Sequence, residues 1–75
     1  MKWEIIRNEK GEIIQYNFNE NIFIKRVYTT IYNVSKYYHY LYVNNKCVEC
    51  NEDGYTTLKQ LKENARKYLK ESGEQ

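Results

Sequence analysis

The chain reads as an α+β domain: an antiparallel meander sheet of four to five strands, with one C-terminal α-helix packed on one face. Three observations predict this. Runs rich in β-branched and aromatic residues alternate with period two through the first fifty residues. Asn- and Gly-bearing turn signals separate these runs at short intervals. The helical stripe Leu58, Leu61, Ala65, Tyr68 and Leu69 comes only after them. Seventy-five residues make one domain, with strands over residues 2–50 and a helix over 57–72 as the expected bounds.

The first element is a hairpin. Trp3–Arg7 and Glu12–Phe18 flank Asn8-Glu9-Lys10-Gly11, in which Asn opens a type I turn and Gly11 supplies the left-handed residue of a G1 bulge. With Asn8 facing Gly11, Arg7 lies opposite Glu12, Ile5 opposite Ile14 and Trp3 opposite Tyr16. Trp3, Ile5, Ile14, Tyr16 and Phe18 then share one apolar face, with Ile6 and Ile13 on the other. A long strand runs from Ile22 to Asn33, with a turn expected at Asn33–Lys36. Tyr37–Val43 returns, Asn44-Asn45 makes a two-residue turn at positive φ, and Lys46–Cys50 forms a short edge strand. Thr57 and Gln60 fit the two ends of a capping box, and Gly73 is a natural helix stop. Glu63–Lys67 and Lys67–Glu71 are spaced for i,i+4 ion pairs.

A two-layer domain covers one face of its sheet. Strand alternation sets Tyr38, Tyr40 and Tyr42 on one side and His39, Leu41 and Val43 on the other. The aliphatic side suits the helix, with Leu58, Leu61, Ala65 and Leu69 buried and Trp3, Ile5 and Ile14 as partners. The tyrosines are then expected in a row on the open face.

Small size makes a deep catalytic pocket hard to build, because a domain this short buries only about 60% of its unfolded surface. The isolated glycines form no phosphate-cradling loop. The lone His39, and Asp53 beside Glu52, lack the local partners of a nucleophile or acid–base pair. Cys47-Val48-Glu49-Cys50 is one C-x-x-C where structural zinc commonly uses two. It precedes an acidic loop rather than a helix N-terminus. On a flat strand its two thiols point to opposite faces. The expectation is therefore a non-enzyme with reduced thiols, no metal and no cofactor. The chain has no apolar run of the roughly 20 residues that a membrane helix needs, and its first residues lack a secretory h-region. It is expected to be complete and cytoplasmic, with no membrane partner and an open oligomeric state in which a dimer is allowed.

Six of the fifteen residues from Tyr28 to Tyr42 are tyrosine, inside an acid-free stretch, Ile22 to Lys46, that carries Lys25, Arg26, Lys36 and Lys46. Phe, Tyr, Met, Ile, Asn and Lys, all with AT-rich codons, fill 37 of 75 positions, so low-GC coding and selection for binding stand as even readings of the tyrosine count. Low-GC coding accounts less well for the clustering. Net charge is +2, all of it in residues 55–75, which is modest for a dedicated nucleic-acid binder. Tyrosine supplies contact area at low entropic cost, and adjacent cations read an acidic surface. The expected partner is a larger host protein or nuclease complex, bound through Lys25, Arg26, Tyr28, Tyr32, Lys36, Tyr38, Tyr40 and Tyr42. The alternative is single-stranded nucleic acid stacked on the same face.

The closing segment Gly54-Tyr55-Thr56-Thr57-Leu58-Lys59-Gln60-Leu61-Lys62-Glu63 follows several strands and an N-terminal Trp strand. This layout resembles small proteins of phages and mobile elements, the anti-CRISPR and other anti-defence proteins among them. The resemblance covers general layout plus about ten residues and transfers no site residue. It implies a compact inhibitor that occupies a surface of a larger bacterial machine.

Overall fold

A computed structural model describes residues 2–69. Five strands, β1 (Glu4–Arg7), β2 (Ile13–Asn17), β3 (Ile22–Ile31), β4 (Val34–Val43) and β5 (Lys46–Cys50), form one antiparallel sheet in sequential order. The helix α1 (Leu58–Asn64) runs into a 3₁₀ turn, Ala65–Tyr68. The expected helix end near residue 72, the Gly73 stop and the Lys67–Glu71 pair lie outside the described residues.

Helix α1 and its 3₁₀ extension pack on the aliphatic face of the sheet. Ile22, Ile24, Leu41 and Val43 from the two central strands, Tyr16 from β2, and Leu61 and Ala65 from the helix form the buried cluster. Alternation decides this face: Ile22 pairs with Val43 and Ile24 with Leu41, so four β-branched or aliphatic side chains meet on one side. Thr57 caps the helix as expected, its hydroxyl accepting from Gln60 N at 3.1 Å. The Gln60 amide donates onward to Asn64 Oδ1 at 2.8 Å rather than back to the cap. Lys67 pairs with Glu49 at 3.1 Å instead of with Glu63, which ties the 3₁₀ turn to β5.

The first hairpin departs from the expected register. Asn8 N donates to Glu12 O at 2.9 Å, and Asn8 Oδ1 accepts from Lys10 N and Glu12 N. These bonds make a three-residue loop that ends on Gly11, at φ +84°, and they set Asn8 opposite Glu12. A bulge next to Arg7 then adds a residue, so that Ile5 faces Tyr16 and Glu4 faces Asn17. Ile14 is the bulged residue and stays 41% exposed, while Ile13 packs against the core. Ile5, on the outer strand, is 49% exposed. Trp3 packs beneath the helix as expected; Ile5 and Ile14 do not.

The turn between β3 and β4 also differs. It is Tyr32-Asn33, both at positive φ (50° and 65°), two residues ahead of the expected centre. That is the two-residue loop whose twist matches a right-twisted hairpin. Asn44-Asn45, at 52° and 67°, repeats the solution between β4 and β5.

Candidate functional site

The ten pairs of β3 and β4 run far beyond their neighbours. β2 pairs with β3 only over Phe23–Lys25, and β5 pairs with β4 only over Tyr40–Val43. Asn51 extends the inner edge by one step, its backbone N donating to His39 O and its Oδ1 accepting from His39 N. Among the described residues, the outer five pairs, from Val27–Tyr38 to Ile31–Val34, have no third strand beside them. They form a two-stranded arm about 17 Å long at the rise of a strand.

The arm is aromatic and apolar at its surface. Tyr32 at its tip is 91% exposed, Tyr28 62%, Val34 50%, Val27 40% and Tyr37 38%. It is braced internally. Tyr28 and Tyr37 meet edge to face at 5.1 Å, and the Arg26 guanidinium stacks 3.6 Å from the Tyr37 ring centre. The Thr30 and Ser35 hydroxyls hydrogen-bond at 2.7 Å, and the Tyr38 hydroxyl donates to Val34 O at 3.0 Å. An isolated two-stranded ribbon is marginal in water; these contacts, cross-strand except for Tyr38–Val34 within β4, hold it extended.

The expected site residues divide over this geometry. Lys25, Lys36, Tyr38, Tyr40 and Tyr42 share the sheet face away from the helix, in agreement with the alternation. They do not stand as an exposed row. Tyr38 is 2% exposed, and Tyr42 stacks on Phe23 at 5.1 Å and 9°. Tyr40 donates to Glu52 Oε2 at 2.7 Å. That bond to a carboxylate, with burial and the charge of Glu52, pushes the Tyr40 phenol up to about 12. Arg26 and Tyr28 lie on the helix-side face, and Tyr32 lies at the tip. The residues that sequence reasoning missed are Val27, Val34 and Tyr37. Tyr37 was readable as an aromatic neighbour of the row, but nothing in the sequence marks where β2 and β5 stop pairing.

The other titratable groups take structural places. His39 sits beside the Tyr16 ring at 6.2 Å, with Nδ1 3.2 Å from Asn51 Nδ2. Burial, with help from the charges of Arg26 and Lys62, holds it below its usual value. Asp53 accepts from Tyr55 N, Thr56 N and Thr56 Oγ1 and so shapes the loop before the helix. Comparison with protein-family models, with curated proteins and with solved structures found no match to this chain.

The cysteines require a correction. A bulge between the partners of Leu41 and Tyr42 sets Cys47 opposite Tyr42 and Cys50 opposite Tyr40. The extra residue, Val48, restores phase, so both thiols share the tyrosine face rather than opposite faces. Both are free thiols, with Cys47 exposed and Cys50 half-buried. Among the described residues no cluster of three or more His, Cys, Asp or Glu could hold a metal ion. No described helix is long and apolar enough to cross a membrane.

Proposed function

We propose that this chain is a non-enzymatic protein-binding inhibitor, of the compact anti-defence (anti-CRISPR-like) kind found in phages and mobile elements. It grips a larger cytoplasmic host protein or nuclease complex through the β3–β4 arm. The observation that carries this reading is the projecting ribbon, on which Val27, Tyr28, Tyr32, Val34 and Tyr37 stay exposed, with no further strand beside them among the described residues. Exposed tyrosine at a projecting tip is an efficient anchor, since it buries large area while freezing few torsions. Arg26 and Lys36 flank the anchors with positive charge, which favours an acidic patch on the partner.

Tyr28→Ala and Tyr32→Ala test the reading. Each is expected to leave the melting temperature close to that of the parent and to weaken partner binding by more than about 1 kcal/mol, as for a hot-spot residue. Recovery from host lysate with and without nuclease separates the alternatives. One stoichiometric protein that survives nuclease and is lost with the two variants supports arm-mediated protein binding. Nuclease-sensitive recovery, with affinity falling steeply as salt rises, replaces it with single-stranded nucleic-acid binding.

A further inference from the structure

The bulge in β5 creates a pair of thiols that the docking arm does not use. Cys47 and Cys50 face Tyr42 and Tyr40, two residues apart on β4, so their own spacing follows the two-residue step of a strand. That step is about 6.7 Å between Cα atoms. A direct disulfide reaches this Cα distance only at its limit and wants Cβ atoms about 3.8 Å apart. The bulge bends β5 at Val48, yet both cysteines remain free thiols, so no direct bridge is made. An atom inserted between the sulfurs removes the conflict, because two metal–thiolate bonds of roughly 2.3 Å each lengthen the bridge.

The donor set then selects the ion. Zinc wants four ligands, and no third donor joins the two thiols in a metal-holding cluster among the described residues. Glu52, the carboxylate at this end of the sheet, is engaged by the Tyr40 hydroxyl at 2.7 Å. Two soft sulfurs without a hard third ligand suit a cation of low coordination number, and thiolates favour Cu(I) among available metals. β5 is the outer strand of the sheet, so the pair is reachable from solvent. We propose that Cys47 and Cys50 form a two-thiolate site for a soft, two-coordinate cation of the Cu(I) class on the tyrosine face. Binding breaks two S–H bonds and makes two S–Cu bonds. Two protons leave to solvent, and copper stays Cu(I), so no oxidant or reductant takes part.

The test is anaerobic titration of the reduced protein with Cu(I) buffered by bicinchoninate, read as copper transferred per chain and as melting temperature. The expected result is one copper per chain and a higher melting temperature, since an ion that prefers the folded pair stabilises the fold. Either Cys47→Ser or Cys50→Ser is expected to weaken uptake by at least about a hundredfold, more than loss of a mere supporting contact. Copper left with the chelator overturns the proposal. So does uptake kept by the single variants, or uptake without a rise in melting temperature, which would mean that the unfolded chain binds equally well.

Discussion

Glu49 shows how one side chain can join three elements. Its carboxylate accepts from Asn64 Nδ2 at 2.8 Å and Tyr68 Oη at 3.0 Å, and pairs with Lys67 Nζ at 3.1 Å. Burial alone would raise its pKa, but these three donors outweigh burial and hold it below the usual 4.5. A folded pKa below the unfolded one means that the unfolded chain takes up the proton first. The contribution of Glu49 is therefore present above about pH 4.5 and is lost as pH falls through the folded value. His39 is also depressed, from 6.5, so it has the same sign one stage higher: stability falls as pH drops below about 6.5. Urea midpoints measured against pH are expected to decline in two stages. Glu49→Gln should flatten the lower stage and His39→Gln the upper one; identical profiles for parent and variants would contradict this. At neutral pH, Glu49→Ala is expected to cost about 1–3 kcal/mol, the penalty for stranding half-buried donors.

At the scale of elements, the helix and the arm differ in how they are held. Leu61 is fully buried between the helix and Ile22, Ile24, Leu41 and Val43. Leu61→Ala should lower unfolding free energy by about 2–5 kcal/mol, as for other large-to-small core changes. A parent-like melting curve would contradict that packing. The arm depends instead on its turn. Asn33 sits at φ 65°, where Gly is at ease and a β-branched residue is strained by roughly 1–3 kcal/mol. Asn33→Gly is expected to leave stability unchanged or improved, and Asn33→Val to loosen the arm. Amide exchange from Val27 to Tyr38 would read the difference directly. The same turn chemistry makes Asn44-Asn45 close the β4–β5 hairpin, which Asn residues alone were enough to forecast.

The whole molecule has a graded stability. Its core is covered by a short helix on one side of a five-stranded sheet, and the ribbon extends beyond that cover. Regions with few buried apolar contacts open at low cost, while central strands open only with the fold. Native-state hydrogen exchange is expected to show slowest amides at Ile22–Lys25 and Tyr40–Val43. Val27–Tyr38 should exchange faster by orders of magnitude. Uniform protection along both strands would mean that the arm is covered in solution, as in a self-associated form. Sedimentation at increasing concentration would then reveal the second copy.

Sequence pattern by itself determined the class of fold, the order of elements, the helix cap and the apolar stripe, of which Leu61 and Ala65 are buried while Leu58, Tyr68 and Leu69 are only partly so. Period-two alternation assigned Leu41 and Val43 to the helix side and Tyr38, Tyr40 and Tyr42 to the other, and the structure keeps that division. These features are local or periodic, so neighbouring residues carry them. Bulges are different. One residue inserted at Ile14 and another at Val48 change which side chains face inward, and each depends on how hydrogen bonds register across a hairpin rather than on the period of its own strand. That is why Ile14 moved out, Ile13 moved in, and the two cysteines came to one face. Tertiary structure alone also decided the candidate site. Tyrosines of equal promise in the sequence became a brace at buried Tyr38 and half-buried Tyr40 and Tyr42, and an exposed surface at Tyr28 and Tyr32. The reason is that β2 and β5 are short, so where their pairing ends sets which part of β3 and β4 is left to project into solvent.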